Sequence, residues 1–293
     1  VDDNYSGDLE LVEKAEKTIG KEIIRYSGHE LWENIAEKGN EQVWIPFHFL
    51  PALEGESETQ QLICKKNSCL AQQLSSKLAN VSIDDADFCF KLGIGLHVYA
   101  DTWAHQKFAG ITDLINWVGE LEFSSLSTDA WSTIETLGKS IFLDIFHPLG
   151  HAGAVHVPDM PYVQWKCSEK FTDGRNNWDE CIEAAHAIFK IMVQCRKRTD
   201  IQDLTENQEK VLLDAFKTIE NQDYNLRNDE WINRIHNGEF CFTDFCEDDQ
   251  HVDYNKFFIL CDMDYPEQFY NALNEHYEWV KSKLLEAHIN VLR

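Results

Sequence analysis

The segment LHVYADTWAHQKFAG, residues 96–110, constrains this chain more than any other. It is mostly apolar or aromatic, yet His97, Asp101 and His105 recur in it at intervals of four. Four-residue steps turn a helix by about 40° and raise it by about 6 Å, so the three side chains fan over about 80° of one face and climb about 12 Å. Set among Leu96, Tyr99, Trp103 and Phe108, they need strong partners, because burying unpaired polar or charged groups is costly. The segment therefore reads as a buried helix carrying metal ligands. An ion such as zinc holds its ligand atoms at about 2.0–2.2 Å. His97 and Asp101 can share such an ion, and so can Asp101 and His105, but His97 and His105 stand too far apart. The spacing predicts two neighbouring ions with Asp101 between them, an arrangement that clamps the attacking and leaving oxygens of a phosphoester.

Further ligands must come from other segments. His48 lies in VWIPFHFLP, between Pro46 and Pro51, in strongly apolar surroundings. The stretch GHAGAVHVPD offers His151, His156 and Asp159, with Gly150 and Gly153 allowing tight turns. His147 shares that loop and reads as a hydrogen-bonded loop residue as readily as a ligand. Asp2 and Asp3, in VDDN, read by themselves as a solvent-facing pair. His29, His186, His236, His251, His276 and His288 receive no role, being expected on helix surfaces or loops. Gly93 and Gly95 in LGIGLH lack the third glycine and the preceding strand of a dinucleotide fingerprint, and are read as permitting close helix packing. No motif marks a Ser or Cys nucleophile.

Helical periodicity dominates the chain, and an all-α fold is expected. Helices are predicted over 8–26, 57–79, 84–109, 126–146, 176–198, from a capping box at Thr205 and Gln208 to 220, and over 265–291. Two irregular stretches interrupt them, 147–162 and the acidic, aromatic 237–256. One domain spanning 1–293 is expected. The metal-site motifs fall within 1–165, and 166–293 completes the helical body with 237–256 as an excursion.

The chain carries 51 acidic against 26 basic residues, a formal net charge of −25. That balance argues against long nucleic acid as a partner, whose binding depends on Lys and Arg neutralising phosphates. It leaves room for a small phosphate ester held by metal ions. No apolar run reaches the ~18 residues of a membrane span. Nine cysteines without zinc-ribbon spacing read as buried free thiols, which favours a cytoplasmic location. The first residue is Val rather than Met, and a segment upstream of it is expected.

The segments VDDN, VWIPFHFLP, LHVYADTWAHQKFAG and GHAGAVHVPDMPYVQW resemble an uncharacterised, mostly bacterial family marked by an LHxYADTWAHQ-type helix and a GHxxxxHxPDxPYxxW-type loop. The resemblance covers roughly 1–165. That family is in turn distantly similar to the zinc-dependent phospholipase C and single-strand-specific zinc nuclease group, all-α helical bundles holding three zinc ions. The resemblance implies that Asp2 or Asp3, His48, His97 and Asp101 form one metal site. His105 would help bind the next ion with His151 and with His156 or Asp159. Asp101 and His105 are four apart, where those enzymes have six, and no His precedes Asp2 to serve a third ion.

The leading expectation is a metal-dependent phosphoesterase with two or three zinc ions, iron and manganese being the alternatives. It acts on a phospholipid or small phosphodiester through a metal-activated water, with Asp101 as the catalytic carboxylate. The other expectations are a non-catalytic, metal-stabilised helical interaction module, a His-Asp type phosphohydrolase and a di-iron protein. Trp44, Phe47, Phe49 and Trp103 are weighed as pocket lining against core.

Overall fold

The apolar stripes of the sequence are realised mainly as helices gathered around the segment that carries the His/Asp row. A computed structural model describes residues 41–123, 157–197, 203–221, 224–240 and 266–292. Among them are eight helices: α1 (Glu41–Phe47), α2 (Glu58–Gln61), α3 (Cys69–Ala79), α4 (Phe88–Ala104), α5 (Asn177–Cys195), α6 (Glu206–Thr218), α7 (Tyr224–His236) and α8 (Pro266–Glu286). Strands β1 (Leu121–Phe123), β2 (Gln164–Cys167) and β3 (Arg175–Asn176) form an antiparallel sheet in that order, with Phe123 opposite Trp165 and Trp165 opposite Arg175. The protein is thus helix-rich with a small sheet. The strict all-α expectation missed the sheet because strands of two to four residues are too short to display a period of two.

Helix α4 is the axis of the body. Helices α3, α5 and α8 pack around it, and its Ile94, Val98, Tyr99 and Trp103 enter the main core. Gly95 is what lets α3 come close: a Cβ there would lie 2.3 Å from Leu78 Cδ2. Gly93 is different, for nothing lies within 4 Å of the Cβ it would carry among the described residues. A mid-helix Gly costs about 1 kcal/mol relative to Ala. The close-packing expectation therefore explains Gly95 and leaves Gly93 without a packing reason.

The expected helix over 57–79 is two helices. Ser57 and Gln60 form a capping box for α2, and Ser68 Oγ accepts from Ala71 N to cap α3. Between them the chain runs as a short cross-piece, bridging Pro51 to Cys64 and Ile63 to Ala109. Cys64 N donates to Phe108 O at 2.7 Å and Lys107 N to Cys64 O at 2.8 Å. The turn after α1 is thereby tied to the turn after α4.

The predicted helix over 84–109 stops at Ala104, with His105 as its C-cap, and the chain then reverses through Lys107 at φ +71°. Arg175, 6% exposed, donates from Nη1 to Ala104 O and from Nη2 to Trp103 O, satisfying carbonyls that the helix end leaves open. The Thr205/Gln208 capping box starts α6 as expected. Helix α7 was not foreseen; its sparse apolar residues make a weak stripe. The predicted helices over 8–26 and 126–146 lie outside the described residues, as does 237–256 beyond residue 240. No helix among the described residues is long and apolar enough to cross a membrane. The six described cysteines are unpaired.

Candidate metal centre

Three ligand atoms from two segments converge on one point. Helix α4 supplies His97 and Asp101, one turn apart on one face. The turn after α1 supplies His48. Pro46 lies inside α1, and His48 N and Phe49 N both donate to Trp44 O, so the helix ends in a wide, π-type turn that carries His48. His48 Nδ1 lies 3.3 Å from Asp101 Oδ2 and 3.4 Å from His97 Nε2, and His97 Nε2 lies 3.5 Å from Asp101 Oδ2. A tetrahedral ion with bonds of about 2.1 Å spaces its ligand atoms about 3.4 Å apart. The three edges match that spacing, so the separation of the residues present fits such an ion. The side chains of His48, Asp101 and His97 are 4%, 16% and 27% exposed, so the triangle is walled on the His48 side and reachable past His97.

His105 sits one step along the row but faces differently from the sequence expectation. Its Nδ1 lies 2.7 Å from His48 O. A carbonyl only accepts, so Nδ1 carries the hydrogen. That same Nδ1 is the ring atom nearest Asp101 Oδ2, at 3.6 Å, and it therefore has no lone pair to offer an ion shared with Asp101. The cause is the end of the helix: as C-cap, His105 leaves the helical path, and Phe49 stacks on its ring with centroids 4.5 Å apart. Its Nε2 instead meets Asp159 Oδ1 at 2.9 Å. The ring is thus held from both sides, by a backbone carbonyl at Nδ1 and a carboxylate at Nε2.

The electrostatics follow from this crowding. Burial works to raise the Asp101 carboxyl, but the charges of His97 and His105 and the hydrogen bond from His48 outweigh it and hold it below the usual carboxylate range. Burial also works against a charged His105, yet Asp101, Asp159 and its hydrogen bonds hold it above an ordinary imidazole. Cys64, fully buried next to this cluster, is pushed up by burial and by the Asp101 charge.

Asp159 ends a short 3-10 turn, Val157–Asp159, which Asn177 pins from the start of α5. Asn177 Nδ2 donates to Val157 O and Met160 O, while its Oδ1 accepts from Trp165 Nε1. Neither Asn177 nor Arg175 was singled out in the sequence, where a single buried polar side chain at the start of a helix or in a two-residue strand carries no periodic signal. His276 was assigned to a surface and is in fact 5% exposed, donating from Nε2 to Pro46 O at 2.8 Å. An i, i+4 pairing of Leu273 and Tyr277 with neighbours on α8 was the available hint that this face is internal. Trp44, Phe47, Phe49 and Trp103 are all buried and belong to the core. Of the predicted ligands, the structure brings His48, His97 and Asp101 together and sets His105 beside Asp159. Asp2, Asp3, His151 and His156 lie outside the described residues.

Both the triangle and the loops around it fall within a span matched by one family model. The chain belongs to a family of unknown function (DUF6765). The match covers residues 1–286, and so includes every candidate ligand named above as well as α5 to α8. No curated protein and no solved structure matches the chain.

Proposed function

We propose that this DUF6765 chain is a metal-dependent phosphoesterase, with zinc as the metal, that hydrolyses a phospholipid or other small phosphodiester. The observation that carries the reading is the His48–His97–Asp101 triangle, whose edges equal those of a tetrahedral zinc site. A zinc ion held there supplies a nucleophile from water near neutral pH and polarises a phosphoryl oxygen. Among the described residues three protein ligands meet there, the number that leaves a tetrahedral ion one further position for water, substrate or another ligand.

Asp101 serves as the ionised ligand. His48 and His97 bind as neutral rings. His105 Nε2 and Asp159 form the next position along the row and steady the oxygen that departs. In this proposal His151 and His156 complete that second position, and Asp2 or Asp3 joins the first, as the likeness to the zinc-dependent phospholipase C and zinc nuclease bundles implies. The net charge of −25 disfavours long nucleic acid and leaves a small or lipid-borne ester as substrate.

The test is hydrolysis of p-nitrophenyl phosphodiesters by zinc-loaded protein and by Asp101→Asn. Activity in the wild type that is lost in Asp101→Asn supports the reading. A zinc-loaded wild type that cleaves no phosphodiester, or an Asp101→Asn variant of full activity, rejects it.

A further inference from the structure

The 3-10 turn Leu114–Asn116 follows the end of α4 and is held from within. Asn116 is fully buried; its Nδ2 donates to Ala109 O and Ile111 O, and its Oδ1 accepts from Ala109 N. Asp113 caps the turn through Ile115 N, and Lys170 Nζ donates to Ile115 O. Side chains three apart in a 3-10 helix eclipse one another, so Leu114 and Trp117 share one edge. That edge faces outward: Leu114 is 61% exposed and Trp117 41%. A single exposed apolar side chain is ordinary on a protein surface. Of the six exposed large apolar side chains among the described residues, however, these two alone share a turn. The bonds of Asn116 and Lys170 fix them in it.

A pair of lysines flanks the turn. Lys170 lies in the connection between β2 and β3, whose backbone joins the exit of the turn: Ser168 N donates to Glu120 O and Glu169 N to Val118 O. Lys170 Nζ also donates to Lys107 O, and Lys107 Nζ to Lys170 O. Each ammonium lies over a phenylalanine ring, Lys107 over Phe171 and Lys170 over Phe108. Both are thus held by carbonyls and rings, and neither is ion-paired with a carboxylate among the described residues. Glu120, Glu169 and Asp173 are exposed on the same hairpin and turn exit, so this surface carries both signs of charge around an apolar edge.

We propose that the edge docks on the surface of a zwitterionic phospholipid bilayer. Leu114 and the Trp117 indole enter the interfacial layer, which suits Trp because its ring is apolar and its N–H polar. Lys107 and Lys170 face lipid phosphates, while Glu120, Glu169 and Asp173 face the headgroup ammonium. An anionic surface would repel a chain of net charge −25, so a headgroup with both charges is the one that fits. Two apolar side chains on a rigid turn give a reversible, peripheral attachment. The docking stands on the turn itself; that the metal centre then cleaves bilayer phospholipid rests on the phosphoesterase reading.

The experiment is co-sedimentation with phosphatidylcholine vesicles at physiological salt. Wild type binds them with or without zinc. Leu114→Ser and Trp117→Ser together weaken binding at least about tenfold and leave Tm unchanged, since both side chains are exposed. No binding by the wild type, equal binding by the double variant, or capture by phosphatidylglycerol vesicles alone overturns the docking. So does a wild-type dimer that the two substitutions dissolve. After zinc loading, hydrolysis of dihexanoyl phosphatidylcholine below its micellar concentration is compared with hydrolysis of the vesicles. The double variant keeps the rate on the monomer and loses at least about tenfold on vesicles; an equal loss on both overturns the link between docking and catalysis. A zinc-loaded wild type that binds vesicles and cleaves neither form overturns the phosphoesterase reading and leaves the docking standing.

Discussion

The two faces of α4 use polar residues in opposite ways. On one face His97 and Asp101 point, with His48, at a common centre, and their atoms lie within 3.5 Å of one another. On the other face Tyr99 donates to Asn67 Oδ1 and Trp103 Nε1 to Glu183 Oε2, each polar atom reaching outward to its own partner. The face with Tyr99 and Trp103 is buried in the core, whereas His97 and Asp101 are only partly covered. What separates a packing face from a candidate site is convergence: hydrogen bonds of a packing face diverge to satisfy single atoms, whereas here three potential ligand atoms face one point.

The largest expected effect breaks the converging face. Structural zinc sites contribute on the order of 10–16 kcal/mol, so removing one charged ligand of a few costs several kcal/mol of binding. Asp101→Asn should therefore weaken zinc binding by about a thousandfold, measured by competition with a chromophoric chelator. An affinity within tenfold of the wild type would mean that the carboxylate is not a ligand.

Next in size is a pH effect where α8 meets the turn that carries His48. Burial, reinforced by the charges of Lys77 and His97, pushes the His276 pKa down to about 4, against about 6.5 in the unfolded chain. A folded pKa below the unfolded value means that the unfolded state binds the extra proton first. The contribution is therefore complete above about pH 6.5 and is lost as pH falls toward 4, on the order of 3 kcal/mol in all. Urea unfolding of the metal-free protein at pH 7 and pH 4.5 should show this loss, and His276→Gln should flatten that part of the slope. An unchanged slope in the variant would place the acid sensitivity elsewhere.

The smallest effect probes the diverging face. Gly95→Ala forces a Cβ against Leu78 and should cost about 1–3 kcal/mol of stability while leaving zinc affinity alone. A loss of zinc affinity with no loss of stability would show that the two faces are not independent.

Much of this was legible in the sequence because it is periodic. The four-residue spacing of His97, Asp101 and His105 needed only a helix to become a row, and the helix is there. The Thr205/Gln208 capping box and the long stripes of α5 and α8 are equally local signals. His48 was legible as an odd residue in an apolar run, though its partner was not. Nothing local said that α4 would end at Ala104, since Gln106, Lys107 and Phe108 are acceptable helix residues. Its end is set by long-range contacts, with Arg175 on the last carbonyls and the Cys64 cross-piece on Lys107 and Phe108. That one unforeseen ending put His105 Nδ1 on the His48 carbonyl and left its Nε2 beside Asp159, one of the partners the resemblance implied for it. The three-stranded sheet and the Asn177 clamp were hidden for the same reason, being fixed by pairings between distant segments rather than by pattern.

The central claim is that the row on α4 is a metal site, and anomalous scattering at the zinc edge from crystals of zinc-loaded protein tests it most directly. The account predicts a peak about 2.0–2.2 Å from His48 Nδ1, His97 Nε2 and Asp101 Oδ2 together, with a second peak at His105 Nε2 and Asp159. Crystals whose protein binds no zinc, or whose zinc lies away from these three atoms, would contradict it.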